Sequence, residues 1–281
     1  MNTKKSQRRV SSKSSADAHI AAFRKAVWGY YKKHARRELP WRKTHDPYKI
    51  LVSEVMLQQT QVPRVVEKYG EFLVAFPTIF VLSQASLSDV LKVWSGLGYN
   101  RRAKYLYDAA RVIVNEYRGD VEAATKAKKL PGVGPYTKSA VRVFAFDESH
   151  TLIETNVRAA YIHYFYSSVL QNTAITDKEL MPIIEKAAES QDPREWHWAL
   201  MDYGSYIKKT HKNPARRSSS HARQSKFEGS LRQVRGAILR ALHEGAPLKE
   251  LPYEQARLKA ALASLQKDGL LAKQGKGWRI A

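Results

Sequence analysis

Leu130-Pro131-Gly132-Val133-Gly134-Pro135-Tyr136-Thr137 joins two segments that both carry helical patterning, and its reading decides the architecture around it. Asp120 is placed to cap a helix over Val121 to Lys129. Thr137 opens a second, in which Ala140, Val141, Val143, Phe144 and Ala145 form an apolar stripe. Pro131 ends the first helix, and Gly132 and Gly134 admit backbone conformations that a β-carbon resists. A glycine turn at a helix N-terminus directs N–H groups at a phosphate, which points to nucleic acid; by spacing alone it is equally an ordinary αα-hairpin with a glycine cap.

Charge favours the first reading. The chain has 48 Lys and Arg against 26 Asp and Glu, a net charge of +22. A surface this basic repels itself unless it meets a polyanion, so DNA, RNA or an anionic membrane is the expected partner. A membrane fits less well, because no apolar run approaches the ~20 residues needed to span one. The basic start leads into Ser-rich sequence rather than an apolar signal segment. The expectation is a soluble, intracellular chain that is not secreted, cytoplasmic or at the nucleoid if the source is prokaryotic. With no cysteine there can be no disulfide, thiolate catalysis, or iron–sulfur or zinc site built on cysteine. The nine His are scattered, so no metal and no cofactor is expected.

At 281 residues two folded units are expected. Residues 1–16 carry five basic side chains, no acidic one and six Ser or Thr, and read as a disordered basic tail. From 17 to 207 helical periodicity dominates. Ile20, Phe23, Val27, Trp28 and Tyr31 share a face, as do Val62, Val65, Val66, Tyr69, Phe72, Leu73 and Phe76, and Leu106, Ala110, Ile113, Val114 and Tyr117. The fold class is therefore all-α. Between Tyr203 and Phe227 seven Lys or Arg, two His and five Ser occur without a carboxylate; residues 208–228 read as a solvated linker or as a basic strap across a phosphate backbone. Over 229–281, helical patterns at Ser230–Glu244 and Tyr253–Lys267 precede a hairpin-like pair, Gly269–Ala272 and Gly277–Ile280. That order suggests a small winged-helix-like module, a pattern that also serves protein contacts.

Chemistry has to come from polar residues set among apolar ones. Glu54 lies in Ile50-Leu51-Val52-Ser53-Glu54-Val55-Met56-Leu57 and is followed by Gln58, Gln59 and Thr60. A carboxylate so placed is either solvated on a polar face or held in a desolvated cleft where it can deliver a proton. Glu154, in Leu152-Ile153-Glu154-Thr155-Asn156-Val157-Arg158, is either a first-turn or capping acid or the second member of a carboxylate pair. Such a pair suits cleavage of a glycosidic bond through an oxocarbenium-like state.

Leu39-Pro40-Trp41-Arg42, the Ser53–Thr60 segment, Gly96-Leu97-Gly98-Tyr99, Leu130–Thr137 and Asn156-Val157 resemble, in order and separation, the helix-hairpin-helix (HhH-GPD) DNA glycosylases. Within that superfamily they are most similar to the A/G-specific adenine glycosylases, the MutY family. The resemblance runs from about Leu39 to Ile207. It implies a two-subdomain helical fold in which a nucleotide flipped from double-stranded DNA enters a cleft and loses its base. Glu54 stands at the position of the catalytic acid, and Asn156 matches an active-site amide that orients the acid or the water. Tyr136 occupies the position that is Lys in the bifunctional lyases of the endonuclease III branch, which implies a monofunctional enzyme that leaves an abasic site. Gln59 and Tyr99 match residues that wedge into the base stack, although Tyr99 also reads as a core aromatic. Gly132, Val133, Gly134, Thr137 and Lys138 of the hairpin, with Arg42, Gln58, Lys208 and Lys209, complete the expected DNA-binding set.

The match has three departures. Glu154 stands where the family has Asp, so the second carboxylate is one methylene longer, and a displacement of about 1 Å can change a rate on the order of 10²-fold. The place of the family's four-cysteine [4Fe–4S] cluster holds the cysteine-free basic segment, whose Lys208, Lys209, Lys212, Arg216 and Arg217 could present cations directly. The C-terminal module is too short for the Nudix-like domain that checks for 8-oxoguanine. The leading expectation is a monomer that removes adenine opposite guanine or 8-oxoguanine. The alternatives are a mismatch thymine or uracil glycosylase and a non-catalytic protein that binds lesions or DNA structure.

Overall fold

The computed structural model describes residues 3–127, 129–168, 173–221, 226–275 and 277–281. In chain order its elements are α1 (Thr3–His34), α2 (Pro47–Leu57), α3 (Val62–Ala75), α4 (Ile79–Gln84), α5 (Leu87–Val93), α6 (Arg101–Tyr117), α7 (Val121–Lys126), α8 (Pro135–Phe146), α9 (Thr155–Phe165), α10 (Asp177–Ala188), α11 (Pro193–Thr210), α12 (Leu231–Glu244), α13 (Gln255–Lys267), β1 (Leu271–Gln274) and β2 (Gly277–Ile280). Short 3-10 turns lie at Pro40–Arg42, Pro214–Arg217 and Leu248–Glu250. The all-α expectation holds, the strands being confined to the terminal hairpin among the described residues. The chain divides into two compact units, Met1–Glu38 with Asp147–Arg223, and Leu39–Phe146 with Gln224–Ala281.

In the first unit α1, α9, α10 and α11 pack around an aromatic cluster. Phe23, fully buried, lies 4.6 Å from the ring of Tyr161, 5.1 Å from Tyr164 and Phe165, and 6.2 Å from Trp196. Each such pair adds roughly 0.5–1.5 kcal/mol beyond the area it buries. Gly204 on α11 lets α9 come close, since a Cβ there would sit 1.9 Å from the carbonyl oxygen of Asn156. Asp202, also on α11, accepts from the backbone N–H of Arg36 at 3.0 Å and from its Nε at 2.6 Å.

Two segments of this unit differ from the sequence-based expectation. α1 starts at Thr3, so residues expected to form a disordered tail continue a helix, and neither Pro nor Gly interrupts the chain before Gly29. The basic segment after Gly204 is not a solvated linker throughout. α11 carries Lys208 and Lys209 in its last turn, Pro214 and Ala215 are buried, and Ile175 N–H donates to the Arg217 carbonyl at 2.8 Å. Apolar anchors and backbone pairing fold this stretch despite its charge. Residues 222–225 lie outside the described residues.

In the second unit α2 to α8 form a helical bundle around buried Leu51, Phe72, Leu82, Trp94, Leu106 and Ile113. The expected stripe of α8 is buried in full, from Ala140 to Ala145 at each named position. The C-terminal module belongs to this unit rather than standing apart. Asp268, after α13, takes the guanidinium of Arg101 at the start of α6 and that of Arg235 on α12. Its carboxyl is pushed up by burial, yet the two arginines outweigh that and hold it below the ordinary carboxylate range. The module runs as helix, 3-10 turn, helix and hairpin. β1 and β2 pair antiparallel from Leu271↔Ile280 to Gln274↔Gly277. The hairpin thus reaches further into the expected loop than its sequence pattern suggests.

Candidate active site

In the first unit the candidate chemistry gathers at the N-terminus of α9. Glu154 is the N-cap: its Oε1 accepts from the backbone N–H groups of Asn156 at 2.8 Å and Val157 at 2.9 Å. Its Oε2 accepts from Asn156 Nδ2 at 3.1 Å, and Asn156 Oδ1 accepts from Lys208 Nζ at 3.1 Å. The capping and catalytic readings of Glu154 are therefore compatible, because the cap fixes the carboxylate in place. Burial pushes this carboxyl above the usual range, against the opposing pull of the two N–H groups, the Lys208 charge and the Asn156 amide.

The approach to this carboxylate is also pinned. His197 on α11, buried, has Nδ1 at 2.6 Å from the Pro193 carbonyl, and its Nε2 accepts from the Leu152 N–H at 3.2 Å. One nitrogen donating and the other accepting fits a neutral imidazole, and burial lowers its pKa. Lys208, expected at the phosphate backbone, is thus engaged in the Glu154 network, while Lys209 remains exposed.

The second unit carries Glu54, half-buried on α2 between buried Ser53 and Val55. Asp46 caps the helix by accepting from Tyr48 N–H at 2.9 Å and Lys49 N–H at 3.3 Å, and Pro47 occupies its first turn. At the other end Gln58 Nε2 donates to Thr137 Oγ1 at 3.3 Å, which joins the end of α2 to the hairpin helix α8.

The hairpin itself is tight. Gly132 has φ +64°, and a Cβ there would meet Tyr105 Cβ at 2.3 Å. The exposed N–H groups of Gly132 and Gly134 have no partner among the described residues. Val133 differs from expectation: it is buried and its N–H donates to the Leu130 carbonyl at 3.1 Å, so it closes the turn rather than offering a donor. The ammonium of Lys138 bonds the carbonyl of Ala127 at the end of α7, which makes it a strap across the hairpin. Thr137 is buried beneath Gln58, and Tyr136 is half-buried at the start of α8. Arg42, in the 3-10 turn before α2, is only 8% exposed.

The sequence reading missed Arg102. Its Nη1 reaches the carbonyls of Val55 at 3.0 Å and Met56 at 2.8 Å and also that of Gln58, while Nη2 reaches Thr60 Oγ1 at 3.0 Å, Leu97 O at 3.3 Å and Gly98 O at 3.1 Å. One guanidinium therefore satisfies the last carbonyls of α2 and the Gly96–Tyr99 turn together. Burial pushes its pKa down to about 10, so it stays charged at neutral pH. Gln59 and Tyr99, the two expected wedge residues, have φ +55° and +49° and flank this hub. The signal was present, since Arg102 lies in register with Leu106, Ala110 and Ile113 on the buried stripe of α6.

No group of three or more metal-ligating side chains occurs among the described residues, and without cysteine the chain cannot supply thiolates to a [4Fe–4S] cluster. No helix among the described residues is long and apolar enough to cross a membrane.

Residues 52–190 match the HhH-GPD superfamily of base excision DNA repair proteins. The adenine DNA glycosylase of Mycobacterium tuberculosis (strain ATCC 25618 / H37Rv) is 31% identical over 265 residues, covering 86% of this chain and 84% of that protein. That of Buchnera aphidicola subsp. Baizongia pistaciae is 33% identical over 186 residues, covering 66% of this chain and 52% of the relative. The human adenine DNA glycosylase is 31% identical over 200 residues, covering 68% and 36%. Against the last two the chain spans about half or less of the relative's length. Among solved structures, a thermostable thymine-DNA glycosylase superposes with a TM-score of 0.60 at 29% identity, covering 70% of this chain and 91% of that one.

Proposed function

Because the chain belongs to the HhH-GPD superfamily of base excision DNA repair proteins, and within it to the adenine DNA glycosylases, we propose that it removes adenine mispaired with guanine or 8-oxoguanine in double-stranded DNA. The observation that carries this reading is the Glu154 carboxylate, held by two backbone N–H groups and the Asn156 amide and pushed up by burial. A fixed, poorly solvated anion is what an oxocarbenium-like state requires beside it.

In the proposed reaction the bond between C1′ and N9 breaks and its electron pair leaves with the adenine, which Glu54 protonates at N7. Glu154 faces the positive charge that develops on the sugar. Water then adds to C1′, and its proton returns to the Glu54 carboxylate, which leaves an abasic site and free adenine. Asn156 orients Glu154. Tyr136 offers no amine for a Schiff base, so the strand is left uncut.

The hairpin supports the strand through the open N–H groups of Gly132 and Gly134, with Lys209 and the overall charge of +22 adding phosphate affinity. Gln59 and Tyr99 enter the stack as the base leaves. The protein works as a monomer wherever genomic DNA lies, the nucleoid in a prokaryotic cell.

A second reading, a thymine or uracil glycosylase acting on mismatches with guanine, is favoured by the similarity to the thymine-DNA glycosylase structure. Single-turnover assays on duplexes carrying A opposite 8-oxoguanine, A opposite G, and T or U opposite G separate the two. Adenine release from the first two duplexes supports the proposal; release of only T or U replaces it with the second reading. Tight binding with no abasic site from any duplex replaces both with a non-catalytic DNA-binding protein.

A further inference from the structure

We propose that the C-terminal module sets the Tyr99 turn for insertion into DNA, with Arg232 as the positioning residue. Arg232, in the first turn of α12, donates from Nη1 to the Tyr99 hydroxyl, and its Cζ lies 5.0 Å from the Tyr99 ring centroid. The same ring has the Cζ of Arg102 at 5.5 Å. Two guanidinium groups therefore attend one half-buried tyrosine, and a cation near an aromatic ring is attracted by the ring quadrupole.

The turn needs such support. Gly96, Gly98 and Tyr99 have φ of +94°, +70° and +49°, and the left-handed region is disfavoured for a residue with a β-carbon. An aromatic side chain on so strained a backbone keeps a defined direction only when its surroundings fix it. Arg102 fixes the turn from below through the Leu97 and Gly98 carbonyls, and Arg232 fixes the ring itself.

The module is anchored beside this contact. Asp268 joins Arg101, two residues after Tyr99, to Arg235, three residues after Arg232. The grip on Tyr99 and the grip on α6 thus flank Asn100 on both sides. A module that served only as an added phosphate-binding surface would not need an arginine committed to an aromatic ring of the helical bundle.

The inference rests on the reading of Tyr99 as a wedge, so its test includes Tyr99 itself. The full chain is compared with Arg232→Ala, Arg232→Lys, Tyr99→Phe, Tyr99→Ala and the Arg232→Ala/Tyr99→Ala double variant. Base extrusion is read by the fluorescence of a duplex containing 2-aminopurine beside the mispair; single-turnover excision, duplex Kd and Tm are measured in parallel. Arg232→Ala is expected to slow extrusion and excision at least tenfold with Kd changed less than threefold. Arg232→Lys, which keeps the charge, should recover part of the rate. Tyr99→Phe should lose a few-fold through the hydroxyl alone, and the double variant should be no slower than Tyr99→Ala.

Wild-type extrusion in Arg232→Ala overturns the inference, as does a loss confined to Kd, which would make Arg232 a phosphate contact. Should Arg232→Ala fail to fold, a Tyr99→Phe variant with unchanged extrusion overturns the role of the hydroxyl contact in the same way. Unchanged extrusion in Tyr99→Ala instead removes the wedge reading beneath it, and a chain that extrudes bases without excising them removes the proposed activity alone.

Discussion

Asn156 stands between Glu154 and Lys208, its amide nitrogen 3.1 Å from one carboxylate oxygen and its amide oxygen 3.1 Å from the ammonium. The anion proposed to face the sugar cation is thereby linked to a counter-charge without making direct contact with it. An acid paired directly with lysine would have its field partly cancelled; the amide keeps the carboxylate oriented and only moderately neutralised.

Asn156→Ala is expected to slow single-turnover excision on the order of 10²-fold, the scale of an approximately 1 Å misplacement, with little change in duplex affinity. Lys208→Met should act differently. The Lys208 charge lowers the Glu154 pKa, so removing it lets that pKa rise further. The acid limb of the pH–rate profile should move to higher pH, and an unmoved limb would detach Lys208 from Glu154.

Glu154→Gln should separate stability from activity. The folded-state pKa of Glu154 is raised above its unfolded value, so ionisation weighs against the folded state once the pH exceeds the unfolded value of about 4.3. Removing the charge should therefore raise Tm at pH 7 to 8, with the gain fading as the pH falls toward 4, while excision drops steeply. Thermal melts across that range check the sign. A variant that melts lower at neutral pH would mean that the cap outweighs the burial.

Arg102→Ala leaves buried carbonyls at the end of α2 and in the Gly96–Tyr99 turn without their donor. Unmet buried groups cost about 1–3 kcal/mol each, and partial relaxation should limit the total to about 3–5 kcal/mol by urea unfolding. Arg102→Lys should recover little, because one ammonium cannot span the same fork of acceptors. A loss below about 1 kcal/mol would show that water replaces the guanidinium.

Borohydride added during turnover should give little covalent protein–DNA adduct, since Tyr136 replaces the amine of the lyase branch. A strong adduct would identify a lysine elsewhere that attacks C1′, and its position could be mapped by peptide sequencing.

The fold class was legible because its determinants are periodic. Phe23, Val27 and Tyr31 on α1, or Ala140 to Ala145 on α8, declare their buried faces one turn at a time. The hairpin was legible through Gly132, and the position of Glu154 through its place before a new helix. What could not be read were relations between distant residues. Lys208 looks like any lysine of a basic run until α9 and α11 close across Gly204 and bring it to Asn156. Val133 had the position of a DNA contact, but burial is a property of the assembled fold. The C-terminal module read as a separate piece because Asp268 and Arg101 meet only in three dimensions.

Glu54 is proposed to deliver the proton in the glycosylase reaction. Single-turnover release of adenine from a duplex with A opposite 8-oxoguanine tests it most directly, with the wild-type chain and Glu54→Gln compared at equal occupancy. An abasic site is expected from the wild type and none from Glu54→Gln, with duplex Kd within about threefold of the wild type. Adenine release by Glu54→Gln at the wild-type rate would contradict it.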